Sequence, residues 1–148
     1  IILAVGYEAT LIMKRYQGSP NLLFSIEENP LGTGGALKKA LTLSSSENVL
    51  VLNGDSYIDF SFTELYKIHT ANQADITVTY TQIQEPARYG SLHVEKASQR
   101  ILSFSEKDSS QKTNYINGGA YLLKRNISIA QNNKAKHQLR KCCQLSQI

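Results

Sequence analysis

Val49-Leu50-Val51-Leu52-Asn53-Gly54-Asp55-Ser56 is the stretch best equipped for chemistry. Four apolar residues in a row stop at Asn-Gly-Asp. A short apolar run bounded by turn residues reads as a strand buried on both faces of an α/β sheet. Such a strand delivers Asp55 to the carboxyl edge of the sheet, where open α/β folds place ligands. A carboxylate there, beside a glycine that permits close approach, suits a hard cation such as Mg²⁺ carrying phosphates. Asn-Gly-Asp is equally the composition of an ordinary turn.

Three further patterns could bind or position a ligand. Leu31-Gly32-Thr33-Gly34-Gly35 lies ahead of a helical stretch. Its glycines free the backbone to approach a flat or anionic group, and a helix start offers unpaired N–H groups. The loop is neither Gly-x-Gly-x-x-Gly nor a Walker loop, so it supports neither a dinucleotide fold nor a P-loop. Glu106-Lys107 closes a strand; its carboxylate could hold hydroxyls and its ammonium a phosphate, or the pair could be plain surface charge. Gly118-Gly119 interrupts an apolar strand, which signals close approach of a ligand or another backbone.

The elements that must position these residues follow from periodicity. Strands are expected at 1–5, 22–26, 49–52, 76–80, 91–95, 100–106 and 115–123. Helices are expected over 8–16, from Ala36 to the Ser44-Ser45-Ser46 break, and from about Ser61 to Asn72. Asp59 or Ser61 could cap the last helix, with Glu64 three residues after Ser61 as in a capping box, and Phe62, Leu65, Ile68 and His69 should face inward. Strand-helix-strand-helix-strand in the first 55 residues has the spacing of parallel crossovers.

Charge is divided unevenly. Residues 1–108 hold nine Lys/Arg and all twelve Asp/Glu, whereas residues 109–148 hold seven Lys/Arg and no acid. The basic character belongs to a polar tail, without the aromatic or base-reading pattern of a nucleic-acid face. No apolar run is long enough to span a membrane, and no secretory signal is visible. Cys142 and Cys143 are adjacent, which is no disulfide framework, and a reducing cytoplasm is the expected compartment.

Five motifs come in one order. They are Pro30-Leu31-Gly32-Thr33-Gly34-Gly35-Ala36-Leu37, Asn53-Gly54-Asp55-Ser56, Arg88-Tyr89-Gly90, Phe104-Ser105-Glu106-Lys107 and Ile116-Asn117-Gly118-Gly119-Ala120-Tyr121. Each is weak alone. The ordered set resembles the sugar-1-phosphate nucleotidyltransferases over residues 1–125. Its Gly-Thr-Gly-Gly and Asn-Gly-Asp-Ser-Tyr forms look most like D-glycero-D-manno-heptose 1-phosphate guanylyltransferase, with mannose-1-phosphate guanylyltransferase close behind.

The resemblance implies an α/β fold of three layers, a mostly parallel mixed sheet with helices on both faces, incomplete at both ends. It implies that Leu31, Gly32, Thr33, Gly34, Gly35, Asn53 and Gly54 bind nucleotide. Asp55 would ligate Mg²⁺ and, with Lys107, serve catalysis. Tyr89, Gly90, Glu106, Lys107, Asn117 and Gly119 would hold the sugar phosphate. The substrates would be a nucleoside triphosphate, GTP by resemblance, and a heptose or mannose 1-phosphate, with pyrophosphate released. Nucleic acid and membrane are not expected partners, whereas a homo-oligomer is compatible with the family.

Two family pieces find no match. One is a Gly-Gly-x-Gly-Thr-Arg-type phosphate loop with a Lys-Pro, ahead of the strand matched by residues 1–5. The other is a second metal-binding Asp far downstream. The chain as given is therefore expected to be a fragment with weak or no turnover. Residues 126–148 are expected to be a poorly ordered or non-native continuation. A non-catalytic nucleotidyltransferase-like subunit is the second reading. A metal-dependent glycosyltransferase is the third, although Asp55-Ser56-Tyr57 lacks the Asp-x-Asp of that class.

Overall fold

The computed structural model describes residues 1–83, 91–95, 97–105 and 114–127. The elements are β1 (Ile2–Val5), α1 (Ala9–Arg15), β2 (Leu23–Ile26), α2 (Gly32–Leu41), β3 (Asn48–Leu52), α3 (Phe62–Ala71), β4 (Ile76–Gln82), β5 (Ser91–Glu95), β6 (Arg100–Ser105) and β7 (Tyr115–Lys124).

β7 is the axis of the larger sheet. Its ten residues are apolar at most positions, and it takes partners on both edges. β4 pairs along one edge, from Ile76↔Leu123 to Gln82↔Tyr115. On the other edge β3 pairs with residues 120–124 and β5 meets Ile116. β6 then pairs with β5. β3 and β4 both run antiparallel to β7, so they run parallel to each other. With α3 between them, they form a βαβ unit split by the insertion of β7.

β1, α1 and β2 form a second, unsplit unit. β1 and β2 pair in parallel, Ile2↔Leu23 to Val5↔Ile26, as a two-stranded sheet. The α/β architecture with a mixed sheet is as the sequence suggests. The expectation of a mostly parallel sheet is corrected: among the described pairings β1·β2 is parallel and the other four are antiparallel. A parallel pair needs a crossover element between its strands, and no described helix lies between β4 and β7.

The core sits around the large sheet. Val78, Tyr80, Leu92 and Ile101 form one buried cluster, bordered by Ile76, Val94, Tyr115 and Tyr121. The Tyr80 and Tyr115 rings meet edge to face at 5.1 Å. Leu65 of α3 buries against Leu122 of β7, with Phe60 alongside. Full burial of each such side chain contributes about 1.5–3 kcal/mol. α3 starts at Ser61, whose hydroxyl accepts from the Glu64 N–H at 3.3 Å, the cap its spacing suggested.

Two burial expectations fail. β3 is not closed on both faces, because Leu50 is 37% and Leu52 58% exposed. α2 packs chiefly on β1 and β2, and α3 chiefly on β4 and β7. Phe62 is exposed and stacks at 6.0 Å on Tyr66 along the outer side of α3. Leu65 and His69 supply the buried side of that helix instead.

Candidate active site

The site is built where β7 changes partners. β3 ends at Leu52, opposite Ala120, and β5 begins opposite Ile116. Between these contacts β7 runs through Asn117-Gly118-Gly119, and the Asn53–Ser56 loop leaves β3 over the same stretch. The Asn53 amide donates to the Gly119 carbonyl at 2.8 Å, which extends the β3 ladder by one bond into the loop.

Both glycines are required there. Gly119 has φ +81°, a left-handed conformation that L side chains rarely adopt. A Cβ on it would stand 2.9 Å from Ser56 Cβ and 3.2 Å from Asn53 Nδ2. A Cβ on Gly118 would collide with Ile58 Cδ1 at 2.3 Å and Thr79 Oγ1 at 2.7 Å. The Gly119 amide donates to Asn117 Oδ1 at 3.0 Å, and Asn117 Nδ2 donates to the Tyr121 hydroxyl. The structure thus joins Asn53, Asn117 and Gly119, three residues drawn from two separate motifs.

Asp55 lies exposed at the tip of this loop, where one carboxylate oxygen accepts from the Ser56 hydroxyl at 3.2 Å. Its neighbours offer oxygen donors, which is the chemistry a hard cation prefers. No group of three or more His, Cys, Asp or Glu side chains converges among the described residues. Mg²⁺ is commonly held by one or two carboxylates with substrate phosphates completing its shell, so Asp55 fits such a role.

The glycine stretch that follows β2 differs from expectation. Gly32–Gly35 is not a loop before a helix at Ala36; it is the first turn of α2. Leu31 is the cap residue, and its amide donates to Glu27 Oε2 at 2.9 Å. Lys39, on the same helix, donates to the Ile26 carbonyl at 2.6 Å. These two bonds tie the helix to the end of β2. Gly32 has φ +68° with open space around its Cα, and Gly32, Thr33 and Gly34 are exposed. Their N–H groups form an uncapped helix start, suited to an anion or a polar ring edge. No described hydrogen bond joins this turn to the Asn53–Ser56 loop.

Tyr89, Gly90, Glu106 and Lys107 lie outside the described residues, as does the tail from residue 128.

α3 carries His69, which is 2% exposed. Its Nδ1 lies 2.8 Å from Thr77 Oγ1 and its Nε2 3.3 Å from Asn48 Oδ1. With Asn48 presenting its amide oxygen, Nε2–H donates to it and Nδ1 accepts from the Thr77 hydroxyl. The ring is then neutral. Burial pushes its pKa below the ordinary 6.5, Lys124 lowers it further, and Asp75 opposes them. His69 thereby pins the start of β3 to α3 and β4 and is no ligand. The sequence showed an inward histidine but not its partners, which lie 8 and 21 residues away.

Known proteins resemble most of this chain. The family model described as Nucleotidyl transferase matches residues 6–145. D-glycero-alpha-D-manno-heptose 1-phosphate guanylyltransferase of Aneurinibacillus thermoaerophilus is 36% identical over 131 residues, covering 86% of this chain and 55% of that protein. Mannose-1-phosphate guanyltransferase of Yarrowia lipolytica is 35% identical over 130 residues, covering 83% of this chain and 36% of that protein. The crystal structure of HddC from Yersinia pseudotuberculosis complexed with GMP-PN superposes with a TM-score of 0.70 at 31% identity, covering 84% of this chain and 56% of the other. The chain spans about half the length, or less, of the curated relatives it matches.

Proposed function

The chain belongs to the nucleotidyl transferase family, and on that premise we propose that it joins a nucleotidyl group to a sugar 1-phosphate. GTP and a heptose or mannose 1-phosphate are the substrates of this reading. The guanylyltransferase names of the relatives support it, as does the complex of HddC with GMP-PN. The observation that carries it is the docking of the Asn53–Ser56 loop on Gly119. That contact holds the loop carrying the exposed Asp55 against the buried Gly118-Gly119 stretch of β7.

The reaction is an in-line displacement. An oxygen of the sugar phosphate attacks the α-phosphorus and a new P–O bond forms. The bond from the α-phosphorus to the bridging oxygen breaks, and that oxygen leaves with pyrophosphate. No covalent enzyme intermediate is needed, so positioning and charge neutralisation supply the catalysis. Asp55 would hold Mg²⁺, which when bound neutralises phosphate charge. Asn117 and Gly119 form one wall for the sugar. The Gly32–Gly35 turn offers N–H groups to the nucleotide. Tyr89, Gly90, Glu106 and Lys107 complete the sugar-phosphate side in this reading, and Lys107 matches the phosphate charge.

The test is pyrophosphate release with Mg²⁺, crossing four nucleoside triphosphates with heptose, mannose and glucose 1-phosphates. Slow release is expected with GTP and one of the first two sugars, and Asp55→Ala abolishes it. Release that survives Asp55→Ala, or that favours another base, would overturn the assignment.

A further inference from the structure

We infer that Thr79 is a positioning residue for the Asp55 loop, acting through a side-chain substitute for a β-ladder rung. The inference rests on the proposed role of Asp55. Along the β4·β7 pairing, Val78 is opposite Tyr121 and Tyr80 is opposite Asn117. Two steps on β4 therefore span four on β7. Gly118, Gly119 and Ala120 bulge out of the ladder, and the main chain of β4 leaves Ala120 without its rung. Thr79 fills that gap. Its hydroxyl donates to the Ala120 carbonyl at 3.0 Å and accepts from the Ala120 amide at 3.2 Å. One hydroxyl thus exchanges both bonds that a paired backbone residue would exchange.

The consequence reaches the opposite edge of β7. With Ala120 held, the Gly119 carbonyl points to β3 and accepts from the Asn53 amide at 2.8 Å. Gly118 rests on the Thr79 side chain, 2.7 Å from where its Cβ would be. Thr79 and Ala120 are both fully buried, so neither bond of that rung can be replaced by bulk water. The chain of contact runs from the Thr79 hydroxyl to Ala120, through the Gly119 carbonyl, to Asn53 and the carboxylate two residues on. Only a hydroxyl can make both bonds. Valine has threonine's shape without either, and serine keeps both without the methyl.

The test compares Thr79→Val with Thr79→Ser in the full chain by amide hydrogen exchange. The Leu65 amide in the buried core serves as the control. In Thr79→Val the Ala120 and Asn53 amides should exchange about fivefold faster or more, the worth of one neutral hydrogen bond, while Leu65 stays as protected as before. Thr79→Ser should restore both amides to within about twofold of the unsubstituted chain. If Thr79→Val does not fold, Thr79→Ala carries the same expectation. Unchanged Asn53 protection in a folded hydroxyl-less variant overturns the proposal, as does failure of serine to restore it.

A second readout links the rung to catalysis. In pyrophosphate release Thr79→Val should lower kcat by about tenfold or more through misplacement of Asp55, with KM for GTP little changed and serine rescuing. Loss confined to KM would count against a positioning role. Release that survives Asp55→Ala refutes the reaction assigned above, whereas the amide result decides the rung in either case.

Discussion

Two glycine-rich stretches of this chain look alike as sequence and behave as opposites in the fold. Gly118 and Gly119 are buried, and a side chain at either would strike Ile58, Thr79 or Ser56. Gly32 and Gly34 are exposed, and nothing stands within 4 Å of a Cβ on Gly32. In the first, glycine is demanded by packing, and the loop geometry is stored in hydrogen bonds from Thr79, Asn117 and Asn53. In the second, glycine is demanded by φ at Gly32 and by the Leu31 side chain at Gly35, whose Cβ would stand 2.7 Å from Leu31 Cβ. One stretch is held by packing and hydrogen bonds; the other presents exposed, uncapped N–H groups at a helix start.

The largest expected effect falls on the loop held against the packed stretch. Asp55→Asn keeps the loop's shape but removes the charge, and release should fall by about 10²–10³-fold, the usual cost of losing a key electrostatic group. Its urea midpoint should match that of the unsubstituted chain. A parallel drop in stability would mean that Asp55 is structural and the two stretches are not distinguished as described.

Gly118→Ala comes next. Overpacking against Ile58 and Thr79 should cost about 1–3 kcal/mol in urea unfolding. Gly32→Ala has open space, so it should cost only the left-handed backbone strain, about 1 kcal/mol, and should leave Asn53 exchange untouched. If Gly32→Ala proved the more damaging of the two, the contrast between packed Gly118 and open Gly32 would fail.

The smallest effect sharpens the contrast through pH. His69 has a folded pKa below its ordinary value, so the unfolded chain binds the extra proton more readily. The stability it contributes is fully present above about pH 6.5 and is lost as pH falls through that value toward the lower folded pKa. Because His69 ties Asn48 to Thr77, acid should loosen the Asn53 amide before the Lys39 amide of α2. Equal loosening of both would show that the histidine does not act locally on β3.

Much of this arrangement was legible in the sequence where local chemistry decides it. The alternating 91–95 stretch is the β5 strand residue for residue, and the Ser61–Glu64 spacing is a real cap. Asn53, Asn117 and Gly119 come together because both motifs end or interrupt apolar strands that pair. The rest depends on distant partners. The start of α2 was hidden because glycines read as loop, whereas Glu27 and Lys39 secure the helix from outside its first turn. The openness of β3 was hidden because an apolar run does not say which of its faces a helix will cover. Thr79 gave one faint signal, a hydroxyl at an inward position of a strand. Its partner lies 41 residues away, and the bulge that requires it exists only once β4 and β7 are paired.

We propose that metal and phosphate meet at the Asn53–Ser56 loop on β7. Mn²⁺ in place of Mg²⁺, added with GTP and followed by paramagnetic broadening of amide resonances, tests it most directly. Broadening should centre on Asn53, Gly54, Asp55, Ser56 and Gly119, spare α1, and vanish in Asp55→Asn. Broadening centred elsewhere, or unchanged in Asp55→Asn, would contradict the account.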